Sequence, residues 1–303
     1  MAVIAISQQV GSRGIELGRL TAEQLGWRFK TGEELIAEAA RRFGVSEDHL
    51  LWFDLRTPHF WERLRSESHR YLAYIRAVLL RELAHDSIVV AGRTLAHQTP
   101  PVRCALRVRV VSPIAERIKC TEQEERLSAA SAEKHVREID RETKARSQSL
   151  SGVDVDDPTI YDLIVNSSAQ PLEAIARLLA AAAGEISATA DAAARPALRD
   201  AAIAAEVHAA LLAHPKIRDA QISVACRAGT VRLTGPGLVA PWDELVCGVA
   251  RTIDGVTAVE VGAEQPPMPY PTACPPPSFC TGANVWTGAA ARRHSRSETR
   301  CAR

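Results

Sequence analysis

Apolar positions along this chain switch repeatedly between an unbroken run and a helical rhythm. Val3 to Ile6 is a short apolar run that meets Ser7, two glutamines and a Gly11-Ser12-Arg13-Gly14 turn. From Ile15 the apolar residues fall at helical spacing as far as Leu25, where Gly26 is placed to cap the helix. A second helix is expected over Thr31 to Phe43, closed by Gly44, and His49 to Phe60 reads as irregular and rich in aromatics. A long helical pattern then spans Phe60 to His85. Ser87 to Gly92 has the look of a buried parallel strand, and Ala105 to Val111 alternates as another. Pro113 through Ser149 is charged and helical, Ile160 to Asn166 is a last strand, and Pro171 to Ala183 a closing helix. Strands that alternate with helices predict an α/β sandwich around a parallel sheet.

The stretch Ala180 to Ala194 is so rich in alanine that it reads as a helical or flexible connector. A smaller α+β unit follows. It has a helix at Ala201–Ala213, a hairpin of Ala220–Cys226 and Thr230–Thr234 turning at Arg227-Ala228-Gly229, a helix at Trp242–Ile253 and a strand at Val256–Val261. From about Gln265 the chain turns to Pro, Ser, Cys and Arg without apolar periodicity, so a disordered tail is expected. The organisation is therefore 1–183 for the first domain, 184–197 for the linker, 198–263 for the second domain and 264–303 for the tail.

Composition narrows the classes. A length of 303 residues suits roughly two domains. With 37 Lys+Arg against 36 Asp+Glu there is no global basic field, and no nucleic-acid partner is expected. Seven scattered cysteines without a C-x-x-C pair suit a reducing compartment better than a disulfide framework. No apolar run approaches the roughly 20 residues of a membrane helix, and the first residues lack a basic n-region. A cytoplasmic protein is expected.

The candidate chemistry gathers where strands end. A Gly/Ser turn between a strand and a helix directs backbone N–H groups and the helix dipole at an anion. Arg93 follows a predicted strand, on the same rim as that turn, and an arginine there can grip a phosphate in a bidentate fork. Arg141, Lys144 and Arg146 lie in the charged helical stretch, on the kind of segment that closes over a moving phosphoryl group. The carboxylates of Asp154, Asp156 and Asp157 precede the last strand, and turn formation and capping account for them better than metal binding.

Four features in this order resemble the cytidylate-kinase-like family of P-loop nucleoside monophosphate kinases over residues 3 to about 180. They are Ile6-Ser7 before Gly11-Ser12-Arg13-Gly14, Ala91-Gly92-Arg93, Asp140-Arg141, and Asp157-Pro158 through Tyr161-Asp162-Leu163-Ile164-Val165-Asn166. The resemblance implies a three-layer P-loop kinase fold and ATP- and Mg²⁺-dependent phosphoryl transfer to a nucleoside monophosphate, CMP or dCMP foremost. It implies that Gly11, Ser12, Arg13, Gly14 and Arg117 hold the cofactor, that Arg93 binds the acceptor, and that Arg13, Arg141, Lys144 and Arg146 carry the catalytic charge. The metal ligands are left unassigned. Residues 198 to 263 resemble a BON domain through the helix–hairpin–helix–strand order, Gly229 to Gly235 and Ile253-Asp254-Gly255-Val256. That second resemblance implies a protein or lipid partner.

The loop departs from the family pattern. Gly14 stands where the catalytic lysine belongs, and Ile15 and Glu16 fill the Ser/Thr positions. Thr143 occupies a lid position where relatives tend to carry arginine. These departures motivate the alternative of a catalytically inactive, nucleotide-binding regulatory protein whose BON module binds a partner or lipid.

Overall fold

The structure is a computed structural model that describes residues 2–55, 61–85, 87–190, 192–218, 220–236, 238 and 242–262. The expected tail therefore lies outside the described residues. Strand β1 (Val3–Gln8) runs through a five-stranded parallel sheet of order β2-β3-β1-β4-β5, with β2 at Arg28–Thr31, β3 at Ile88–Gly92, β4 at Ala105–Val111 and β5 at Leu163–Asn166. Helices α1 (Gly14–Leu25), α2 (Gly32–Phe43), α3 (Glu47–Leu55), α4 (Trp61–His85) and the short α5 (Leu95–Gln98) fill the first half. Helices α6 (Ile114–Glu125), α7 (Ala129–Ser151) and α8 (Leu172–Thr189) complete the larger unit.

Alternation along β1 builds two apolar layers. Val3 and Ala5 turn to one face, where they meet Leu35, α4 residues such as Val78 and Leu83, and Val90 of β3. Ile4 and Ile6 turn to the other, against Leu17, Val108, Val110 and Leu179. Each fully buried aliphatic side chain contributes roughly 1.5–3 kcal/mol, so the layers fix which strand ends come together.

Several elements differ from the sequence expectation. Residues 28–31 form the edge strand β2, and α3 at 47–55 runs into the stretch from His49 that reads as irregular. Thr31 caps α2 with a capping box closed by Glu34. The charged stretch after Pro113 is two helices, broken where Arg126 takes a left-handed conformation at φ 54°. The expected last strand starts later than Ile160, at Leu163, because Pro158–Ile160 forms a 3-10 turn capped by Asp157.

A second sheet of three strands, β6 (Ser223–Arg227), β7 (Thr230–Thr234) and β8 (Ala258–Val261), packs with helices α9 (Ala194–Ala213) and α10 (Trp242–Arg251). The β6–β7 hairpin turns on Ala228 and Gly229, both at positive φ, and Asp200 accepts hydrogen bonds from both of their N–H groups. Within 184–197 the chain finishes α8 and begins α9. Ala194, Leu198, Ala202, Ala205 and Ala209 fall on one face of α9 and join the core of the larger unit. Val207 and Leu211 face the small sheet. Among the described residues no helix is long and apolar enough to cross a membrane, and four cysteines are free.

Candidate active site

The parallel register brings three strand ends to one rim. Ser7 of β1 pairs with Gly92 of β3 on one side and Arg109 of β4 on the other. Open parallel sheets bind ligands at this carboxyl edge. A cavity of about 250 Å³ lies there, lined by Gln8, Arg93, Arg109, Arg141, Thr143 and Lys144 among others. Arg141, Thr143 and Lys144 come from α7, so the helix expected to act as a lid forms one wall.

The glycines of the loop answer to the chain's own packing. Gly11 sits at φ +73°, and a β-carbon there would collide with the Arg117 carbonyl oxygen of α6. A β-carbon on Gly14 would lie 2.6 Å from both Cβ and Oε1 of Gln8. Ser12 is buried, and its hydroxyl donates 2.7 Å to the Gln9 carbonyl, which shapes the turn. The N–H groups of Gly11, Arg13 and Gly14 have no hydrogen-bond partner among the described residues. Unpaired N–H groups at the start of a helix are donors of the kind that suits an anion. The Ile15 N–H is committed elsewhere, donating 2.9 Å to Gln8 Oε1.

The structure separates the proposed cations into groups. Arg93, Arg141 and Lys144 line the cavity. Lys144 donates 2.7 Å to Asp156 and lies 3.3 Å from Asp154, and these carboxylates raise its pKa. Arg146 is a buried residue of the same helix and is not among the lining residues. Arg13 does not line the cavity either. Its guanidinium forms a two-pronged pair with Glu16 at 2.8 and 2.7 Å, about half exposed, because the two residues are three apart on the first turn of α1. Arg117 is buried and directs two nitrogens to Asp140 at 3.0 and 2.8 Å and one to the Val10 carbonyl at 3.4 Å. It ties α6 and α7 to the loop, which makes it a positioning residue in this arrangement.

Three groups at the rim were absent from the sequence reading. Gln8 plugs the start of α1. His97 lies near Arg109 and Arg146, and burial followed by those two charges pushes its pKa down to about 4. Arg109 is 6% exposed, on a strand whose other buried members are apolar. The signal was a charge between Val108 and Val110, and such a residue is seldom buried without a purpose.

A divalent metal finds no ready ligand set. Of the carboxylates lining the cavity, Asp140 is paired with Arg117 and Asp156 with Lys144, and no group of three His, Cys, Asp or Glu among the described residues can hold an ion. The residues do not fit a magnesium site held by protein alone.

Residues 3–169, more than half of the chain, match the Cytidylate kinase-like family. The chain belongs to the cytidylate kinase-like family. A cytidylate kinase of Thermococcus kodakarensis is 23% identical over 190 residues, which cover 63% of this chain and 92% of that protein. A cytidylate kinase of Ignicoccus hospitalis is 25% identical over 175 residues, 58% of this chain and 95% of its own. A solved structure of an uncharacterized protein from Eubacterium ventriosum covers 61% of this chain and 98% of its own at 14% identity and a TM-score of 0.46. Membership in the family suggests nucleotide kinase activity. The family match spans the sheet, the loop, Arg93 and α7, and it ends before α8 and the small α+β unit.

Proposed function

We propose that this chain transfers the γ-phosphoryl group of ATP to a nucleoside monophosphate, with CMP or dCMP as the preferred acceptor. The observation that carries the reading is the cavity at the strand ends, where Arg93, Arg141 and Lys144 converge beside a loop with unpaired amides. In the transfer, the bond from the γ-phosphorus to the bridging oxygen breaks and an acceptor phosphate oxygen forms the new bond. Little covalent work falls to the protein, and cations spread over the moving group carry most of the catalysis. The amides of Gly11, Arg13 and Gly14 hold the donor phosphates, Arg93 holds the acceptor phosphate, and Arg141 and Lys144 neutralise charge from the α7 wall. Magnesium belongs to this reading as the counter-ion that ATP brings with it, and no step is assigned to a protein-held ion.

The test is ADP formation by the purified chain with ATP, Mg²⁺ and each of CMP, dCMP, UMP and AMP. Turnover with the cytidine nucleotides ahead of the others is expected. No ADP above background with any acceptor overturns the reading. The second reading, a nucleotide-binding regulatory protein without turnover, is favoured by two contacts in the loop. Arg13 is neutralised by Glu16, and Gln8 has taken the Ile15 N–H. Thermal stabilisation by nucleotides without ADP formation selects it.

We also propose that 1–183 is the kinase domain and 184–197 its connector to a BON-like module at 198–263; the expected tail, 264–303, lies outside the described residues. The α-β-β-α-β order of α9, β6, β7, α10 and β8 supports the BON-like assignment. A protein or lipid partner for that module, and a cytoplasmic location, complete the proposal.

A further inference from the structure

Arg109 stands in the interior of the sheet. Its strand neighbours Val108 and Val110 turn to the apolar layer beneath α1 and α8, so Arg109 turns to the opposite face. Its partner in register, Ser7, receives a hydrogen bond from the Ala96 N–H of α5. The guanidinium is almost wholly withdrawn from solvent, yet no carboxylate among the described residues forms an ion pair with it. Its Nη1 has no hydrogen-bond partner among the described residues, and its guanidinium carbon lies 5.8 Å from the centre of the Tyr161 ring. A cation–π contact replaces only part of the hydration that a buried charge loses.

The neighbouring arginines show the usual resolution of that cost. Arg107, two residues earlier on β4, bonds Asp162 at 3.1 and 2.7 Å. Arg117 is matched by Asp140. Arg109 lacks such a partner and lines the cavity. The carboxylates that line the same cavity, Asp140 and Asp156, are paired with Arg117 and Lys144, and the nearby Arg146 adds the same sign. Thr143, the lid position without a cation, lines the same cavity.

We infer that Arg109 is a phosphate-binding residue, whose missing counter-charge is a phosphoryl group of the bound nucleotide. It delivers from the floor of the site the positive charge that Thr143 leaves out of the α7 wall. The inference rests on the phosphoryl-transfer reading of the cavity, and its test can fail separately from that reading.

The full chain and its Arg109→Met and Arg109→Lys variants are titrated calorimetrically with inorganic phosphate, CMP and ATP, each alone, and melted without ligand. Losing a charge-assisted hydrogen bond predicts a roughly 10–100-fold weaker affinity in Arg109→Met. Arg109→Lys is expected to keep part of it. Loss confined to CMP assigns the acceptor phosphate, loss confined to ATP assigns the donor, and loss of all three assigns any phosphate dianion. The ligand-free Arg109→Met protein is expected to melt higher than the parent, since an uncompensated buried charge has gone. Unchanged affinity for all three ligands in Arg109→Met, or in Arg109→Lys should the first variant not fold, overturns the inference. So does a lowered ligand-free melting point with affinity intact, which marks a structural role. Arg109-dependent binding without any ADP formation by the parent sinks the kinase reading alone. Undiminished turnover in Arg109→Met sinks the inference alone.

Discussion

Replacing Asp140 by asparagine removes the counter-charge of an arginine that has almost no access to water. The Arg117 side chain is 6% exposed and that of Asp140 33%, and two hydrogen bonds of 3.0 and 2.8 Å join them. Breaking a fully buried pair costs about 3–5 kcal/mol, because the remaining charge is stranded. Water reaches Asp140 in part, and the Val10 carbonyl still accepts from Arg117, so about 2–3 kcal/mol is expected here. For a chain of this size each kcal/mol moves the melting point by about 2–4 °C, which gives a fall of roughly 5–10 °C. The assay is thermal and urea unfolding of Asp140→Asn, Arg117→Met and the double variant. The two changes must be strongly non-additive, with a coupling of at least about 1.5 kcal/mol. An Asp140→Asn protein within about 0.5 kcal/mol of the parent refutes the reasoning, as does simple additivity. Nucleotide affinity is expected to fall as well, because Arg117 also braces Val10 and the Gly11 turn.

Acid should destabilise the fold before its carboxylates titrate. His97 and His208 have pKa values pushed down to about 4 from 6.5, by burial first and then by Arg109 and Arg146 for His97, and by Arg76 and His69 for His208. The unfolded chain therefore takes up protons that the folded chain refuses. Their stabilising contribution is full above pH 6.5 and is lost as pH falls towards 4, by at most about 3 kcal/mol per histidine. Urea midpoints at pH 7, 5.5 and 4.5 should decline, and less so in His97→Gln; a flat profile contradicts the account. Glu16→Gln should release Arg13 towards the loop and tighten ATP binding by about 3–10-fold, with under about 1 kcal/mol of change in stability. Equal ATP affinity in calorimetry would rule out Arg13 as a latent phosphate ligand.

The inner strands were legible because their apolar runs are unbroken and end in turns, as at Val3–Gln8 and Ile88–Gly92. The edge strand Arg28–Thr31 was not, since four half-exposed polar-rich residues carry no period. Helix α3 escaped because its apolar residues are spread around the axis, though Leu50 is fully buried. At the site, residue type and order suggested the loop, Arg93 and the α7 wall. Partner choice was the harder part. The Arg13–Glu16 pair is a spacing that can be read along one helix, whereas Arg117 meets Asp140 across 23 residues and two helices. Arg109 could be seen as a charge in an apolar strand, but only the sheet register shows what it faces.

Helix α9 has one further consequence. Its alanine stripe completes the larger core while Val207 and Leu211 anchor the small sheet, so a single rod is shared property of both. A cut placed at 197 would carry Leu198, Ala202, Ala205 and Ala209 away from the core they share with α4. Separating the small sheet from the larger one thus means drawing an apolar stripe out of a closed core.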